Sequence, residues 1–192
     1  MRLPPDEETD VELSRRALRG DARAWRTIIR RHTPMAYRLA ARMLGPGAEA
    51  EDATQEAFMK AHRGFASYDP ARPLAPWLGR IVYHTCLRRL ASGARAGVAT
   101  DPADLARVED ATGASPEKEL ATREAGDLVR AALERLSAQD RALVTLRYVD
   151  GLTDLEVGEA VGMNRNTVRT RLHRARLVLQ KVLGPALGGR RA

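Results

Sequence analysis

The stretch TDLEVGEAVGMNRNTVRTRLHRAR, Thr153–Arg176, decides how this chain is read. Thr153-Asp154-Leu155-Glu156 has the form of a capping box, in which a threonine hydroxyl caps the first turn and a glutamate three residues on reaches back to the cap. The helix so begun lasts to Val161. Gly162 follows, a residue free to take the left-handed conformation that a tight turn between helices needs. Met163-Asn164-Arg165-Asn166 then leads into a longer helix from about Asn166. A short capped helix, a glycine turn and a basic helix make a helix-turn-helix.

At 100° per residue, Val168, Leu172, Ala175, Leu179 and Val182 share one side of the last helix and are expected to pack inward. Arg169, Thr170, His173 and Arg174 fall on the opposite side, flanked by Arg165, Arg171 and Arg176, with Asn166 and Thr167 in the first turn. An arginine fork can pair with a guanine edge in the major groove, while neighbouring arginines neutralise phosphates. The alternative is a solvated basic helix. After Glu159 there are eight basic residues and no acid, which favours the DNA reading.

The rest of the 192-residue chain is consistent with that reading. The net charge is +7, and hydrophobic residues are 44% of the total but aromatics only 4%. The cores must therefore be built from Leu, Val, Ile and Ala, and the composition favours helix. The charge is uneven. Residues 13–98 hold sixteen basic and six acidic side chains, whereas 101–127 hold eight acidic and three basic. Two basic blocks joined by an acidic stretch suggest two nucleic-acid-facing units and a linker.

The expected fold is all-α: a disordered tail over 1–10, a helical domain over 11–91, a flexible linker over 92–116 with one helical turn near Asp104–Val108, a helix-turn-helix domain over 117–183 that opens with Leu120 and its helical repeats, and a tail over 184–192. In the first domain, helical periodicity from Val11 to Leu44 is expected to break near Gly20-Asp21 and at Pro34. A further helix spans Ala48 to Arg63. Ser67–Pro76, with three prolines, reads as a loop, and a helix follows from Trp77 to Ala91. In the second domain Ser137 is expected to cap a helix from Ala138 to about Val149. Trp25 is assigned to the core, and so is Trp77, whose alternative, beside the proline loop, is to stack on a base.

Other chemistries find little support. Cys86 is alone, which excludes an intramolecular disulfide, and His32, His62, His84 and His173 form no pair at metal spacing. No carboxylate pair, nucleophile–base set or glycine-rich phosphate loop stands out, so neither enzyme, metal nor cofactor is expected. No membrane span or secretory signal is read, and a cytoplasmic location is expected. Within the basic first domain, Asp52, Gln55, Glu56 and Met59 recur at helical spacing with Ala53, Ala57, Phe58 and Ala61 inward. Such an acidic stripe is either solvated surface or a dock for a basic protein.

Asp52-Ala53-Thr54-Gln55-Glu56-Ala57-Phe58, followed by Trp77-Leu78 and the basic helix to Leu90, resembles the second conserved region of bacterial sigma factors. Leu133–Leu183, with Thr167–Arg176 at its heart, resembles the fourth. Two such regions joined by a linker resemble the extracytoplasmic-function (ECF) group, over about residues 13–91 and 117–183. The resemblance implies a promoter-directing, non-enzymatic subunit of RNA polymerase. It places Asp52, Gln55, Glu56 and Met59 against the clamp helices of the polymerase's largest subunit, and implies a contact of the second domain with the flap of the second-largest. It places Tyr68, Asp69 and Arg72, in the loop Tyr68–Pro76, at a flipped base of the minus-ten element, and Arg80, His84, Arg88 and Arg89 along the same element. Arg165, Asn166, Thr167, Arg169, Thr170, Arg171, His173, Arg174 and Arg176 fall at the minus-thirty-five element. An anti-sigma partner is also implied. His84, Arg88, Pro73 and Pro76 depart from the residues many relatives carry there. The competing reading is an autonomous helix-turn-helix regulator that binds operators.

Overall fold

The computed structural model describes residues 8–96 and 126–188. Their regular structure is helical throughout. Helix α1, Asp10–Leu18, starts on a capping box in which Thr9 Oγ1 accepts from the Glu12 amide and the Thr9 amide donates to the Glu12 carboxylate at 2.8 Å. The expected tail therefore ends at a structured helix start. Asp21 then caps α2, Ala22–Leu44, by accepting from the amides of Arg23 and Ala24.

Helix α2 runs unbroken through Pro34, which corrects the expected break. Proline removes one backbone donor, at a cost of about 3 kcal/mol. The buried face of Ile28, His32, Met35, Ala36 and Leu39 spans the position on both sides and offsets that cost. The helix ends at Gly45, whose φ of 93° only glycine adopts without strain. Helix α3, Ala48–Gly64, packs Ala53, Ala57 and Ala61 inward, and these small side chains allow close approach to its neighbours.

A 3₁₀ turn over Phe65–Ser67 leads through Tyr68–Pro73 to α4, Leu74–Ala96. The helix thus begins three residues before Trp77, with Pro76 inside its first turn. Amides there have no intrahelical acceptor, so proline forfeits nothing. At its other end α4 continues past the expected boundary at 91. The linker beyond residue 96, the turn near Asp104–Val108, Leu120 and the boundary at 117 lie outside the described residues.

The second half opens with α5, helical over 126–134. Ser137 accepts from the Asp140 amide to cap α6, Ala138–Val144, which widens into a π turn over Thr145–Val149. Helices α7, Asp154–Val161, and α8, Arg165–Gly188, complete the chain. Helix α8 passes the expected end at 183.

One apolar core runs through both halves: Leu39, Met43, Leu78, Val82 and Tyr83 of the first meet Leu143, Leu146, Val157, Val168 and Leu172 of the second. A smaller core joins Leu13, Ala24 and Ile28 to Phe65, Tyr68 and Leu74. Trp25 and Trp77 are partly buried and pack against both. The four aromatics form a cluster, with ring centroids 4.8 Å apart for Trp25–Phe65, 5.3 Å for Phe65–Tyr68 and 4.9 Å for Tyr68–Trp77.

Candidate nucleic-acid interface

The helix-turn-helix is built as its residue pattern requires. Thr153 and Glu156 form the reciprocal capping box of α7, and Gly162 sits at φ 72° and ψ 32°, in the left-handed region. The turn is tight: the Met163 amide donates to the Gly158 carbonyl at 2.9 Å, and a Cβ on Gly158 would stand 2.5 Å from the Met163 carbonyl oxygen. Asn164 then caps α8, its side-chain oxygen accepting from the Thr167 amide at 2.9 Å and from the Thr167 hydroxyl at 3.0 Å.

Val168, Leu172 and Ala175 are buried and anchor α8. Arg165, Asn166, Thr167, Arg169, Thr170, His173, Arg174 and Arg176 are all exposed. Among the described residues, Arg165, Arg169 and Arg174 have no carboxylate partner. Arg171 differs from them. Its Nε donates to Asp140 Oδ1 at 2.7 Å and its Nη1 to Gln139 Oε1 at 3.0 Å, so it ties α8 to α6 instead of facing outward. Expected as one of the arginines flanking the outward face, it turns toward α6. Helical phase puts it on the boundary between faces, and the carboxylate of Asp140 decides which way it turns.

Beside α8 lies an open groove of about 610 Å³, lined by Arg147, Tyr148, Asn166, Arg169, Thr170, His173 and Arg176. Tyr148 is half-exposed, and its hydroxyl accepts from Arg176 Nη2 at 2.6 Å. Arg147 is held by Asp154 at 2.9 Å. Neither Arg147 nor Tyr148 was singled out by the residue pattern, because both belong to the π turn after α6 and only the fold brings them alongside α8.

On the first half, Asp52, Gln55 and Met59 project from α3 into solvent, Met59 with 57% of its surface exposed. An exposed methionine at the end of an acidic stripe is an unusual surface for a basic unit. Glu56 does not stand free with them. Its carboxylate is paired with Lys60, with Arg89 at 2.9 Å and with Arg88 at 3.4 Å. Lys60 also donates to the buried Thr85 hydroxyl. Glu56 thus joins α3 to the basic side of α4, and the two arginines expected along DNA are held by an acid expected at a protein surface.

Tyr68 is 5% exposed, so its placement at a flipped base is corrected: the ring belongs to the aromatic cluster. Its hydroxyl donates to the Arg72 carbonyl, and burial pushes its pKa up to about 12. Asp69 and Arg72 are exposed. The Asp69 side chain accepts from the Ala71 amide and its carbonyl from the Arg72 amide, which pins the loop locally. Arg80 and His84 are exposed along α4, and partial burial together with the Arg80 charge holds the His84 pKa down.

Comparison with known proteins follows the same division. The Sigma-70 region 2 family model matches residues 28–96, and the Sigma-70, region 4 model matches residues 126–179. The ECF RNA polymerase sigma factor SigW of Bacillus subtilis is 32% identical over 173 residues, covering 86% of this chain and 91% of SigW. This chain belongs to the ECF sigma factors.

SigE of Mycolicibacterium smegmatis is 34% identical over 160 residues, and the matched part spans 83% of this chain and 62% of that longer relative. Among solved structures, CnrH, determined in complex with the cytosolic domain of CnrY, is 26% identical with a TM-score of 0.63, covering 93% of this chain and 99% of CnrH. Sigma factors are non-enzymatic initiation factors. Among the described residues no helix is long and apolar enough to cross a membrane.

Proposed function

We propose that this ECF sigma factor acts in the cytoplasm, docks on core RNA polymerase through the exposed Asp52, Gln55 and Met59 of α3, and reads promoter DNA with both halves. The single observation that carries the DNA reading is α8: Arg169 and Arg174 stand exposed without a described carboxylate partner, on a helix anchored by Val168, Leu172 and Ala175. Uncompensated guanidinium groups on a rigid helix gain from releasing phosphate counterions and offer forks to base edges. In this reading Arg165, Asn166, Thr167, Thr170, His173 and Arg176 surround the minus-thirty-five contacts. Arg80, His84, Arg88 and Arg89 of α4, with Asp69 and Arg72, face the minus-ten element. The chain's place in the ECF group supports a flap contact by the second half, and CnrH bound to CnrY supports a regulatory protein partner here too.

Run-off transcription with purified core polymerase on a genomic library tests the reading. Promoter-dependent transcripts are expected only with the chain present. Binding of duplex operators without polymerase, and no added transcripts, would instead establish an autonomous regulator. Asp52→Lys is expected to weaken core binding by about tenfold or more, since a like charge placed in a charge-matched interface is repulsive, with unchanged helical content. Unaltered core affinity would remove Asp52 from the docking surface.

A further inference from the structure

Tyr148 stands on the wall of the groove beside α8 with half of its surface exposed, and neither the helix-turn-helix pattern nor the core accounts for it. Backbone geometry puts it there. The Asp150 amide donates to the Thr145 carbonyl at 3.0 Å, five residues back, so the turn after α6 is wider than an α turn. Thr145 and Leu146 stay buried while Tyr148 and Val149 turn outward. Single π turns of this kind are frequent at functional positions.

The Tyr148 ring is braced by two guanidinium groups in different conditions. Those of Arg147 and Arg176 each lie 5.8 Å from its centroid, within the cation–π range of about 6 Å. Arg147 is already engaged: its Nε donates to Asp154 Oδ1 at 2.9 Å and its Nη1 to the Leu152 carbonyl at 3.1 Å. Arg176 has no carboxylate partner among the described residues, and its Nη2 donates to the Tyr148 hydroxyl at 2.6 Å. That hydroxyl accepts, so its own proton is left to donate, and no described residue takes it. An unbalanced guanidinium and an unused O–H thus meet at one place on the groove wall.

Two adjoining donors, one of them charged, suit an anion with several acceptor oxygens. Position on α8 says which. Arg169, His173 and Arg176 recur at intervals of four and three and share one face of the helix. Recognition helices contact base edges with their N-terminal residues. Arg176 lies about 10 Å further along the axis than Arg169, where such a helix leaves the groove and meets the sugar-phosphate strand. A carboxylate of a protein partner would fit the same two donors, but continuity with the DNA-facing row favours the phosphate.

We propose that Tyr148 and Arg176 form a seat for a single DNA phosphate flanking the minus-thirty-five element, with Tyr148 as the positioning residue that holds the Arg176 guanidinium and adds its own O–H. The proposal rests on α8 being the DNA-reading helix. It brings a residue outside the helix-turn-helix into promoter binding, with a contribution indifferent to base sequence.

Holoenzyme assembled from core polymerase and the full chain, on a promoter duplex recovered by run-off, tests the seat through the salt dependence of binding. Arg176→Ala should weaken binding about tenfold, the loss of a charge-assisted contact, and lower the slope of log K against log salt by about one. Tyr148→Phe keeps the ring and every charge, yet should weaken binding about threefold or more for the lost hydroxyl, equally for all single-base variants of the site. Because the two residues act as one, the double variant should bind within about twofold of Arg176→Ala alone. Unaltered affinity of Tyr148→Phe, losses that multiply in the double variant, or weakening confined to particular base pairs would each overturn the seat. Unaltered affinity is also the outcome for a seat that serves a protein carboxylate. Absence of promoter-dependent transcripts with the unsubstituted chain would overturn the sigma-factor reading instead, and the same variants on a duplex of random sequence at low salt would then decide the seat.

Discussion

Helices α4 and α8 are both long, both rich in arginine and both assigned to DNA, yet their charges are in opposite conditions. On α8, Arg165, Arg169 and Arg174 face solvent with no described carboxylate partner. On α4, Arg88 and Arg89 are paired with Glu56, and Arg80 leans on the Glu159 carbonyl of the other half. The difference comes from neighbours. Helix α8 lies in a stretch that has no acid after Glu159, while α4 packs beside the acidic stripe of α3. A basic residue count therefore points to candidate polyanion-binding helices, but the packing partner decides which cations stand without an acid beside them. Helix α8 is poised, whereas α4 must exchange partners first.

The sharpest way to break this comparison is to disrupt α8's platform. Gly158→Ala would drive a methyl into the Met163 carbonyl at 2.5 Å, a backbone atom that cannot rotate away. Overpacking of that kind is expected to cost about 3 kcal/mol, seen as an earlier urea midpoint and lost DNA binding. Gly162→Ala, where φ is 72°, should cost about 1–2 kcal/mol for the left-handed conformation alone.

The next test sharpens the contrast within α8 itself. Arg174→Ala is expected to weaken binding to the upstream element by about 1–3 kcal/mol at selected positions of the site, measured across a panel of single-base variants. Uniform weakening would mark a phosphate contact. Arg171→Ala, by contrast, should shift thermal stability by losing its ties to Asp140 and Gln139 and leave the sequence preference intact.

On α4, Glu56→Gln removes the charge that holds Lys60, Arg88 and Arg89. Exposed pairs of this kind contribute about 0–1 kcal/mol, so stability should change little. The readout is the salt dependence of binding to a minus-ten single strand, whose slope should steepen as Arg88 and Arg89 become free for phosphates. An unaltered slope would mean that DNA already displaces Glu56.

The smallest effect lies away from both helices. Asp21 is held down to about 2 by the Arg16 guanidinium first and by the amides of Ala24 and Arg23 that it caps. Because its folded value is depressed, its contribution is present above the ordinary value of 3.8 and is lost as pH falls through about 2. Amide chemical shifts of Arg23 and Ala24 should therefore titrate near that lower value and not near 3.8.

How much was legible beforehand follows from the range of the forces involved. Capping boxes, the Gly162 turn and the Leu172 face are local, set within a few residues, and the second half was readable almost residue by residue. Two of the errors were at prolines. Pro34 lies in an unbroken helix and Pro76 in a first turn, because burial along α2 outweighs one lost bond and because first-turn amides have no bond to lose. Tyr68 was misplaced because an aromatic in a proline-bearing segment looks the same whether it faces DNA or Phe65 and Trp77.

By itself, then, the amino-acid sequence determined the helical architecture, the helix-turn-helix and the two family regions, since periodicity and capping act over a turn or two of chain. The tertiary structure alone decided which charges are spent. It paired Glu56 with Arg88 and Arg89 across 32 and 33 residues, turned Arg171 to Asp140 across 31, and closed Arg38 on Asp150 across 112. Electrostatic pairing depends on distance in space, and no spacing along the chain encodes it.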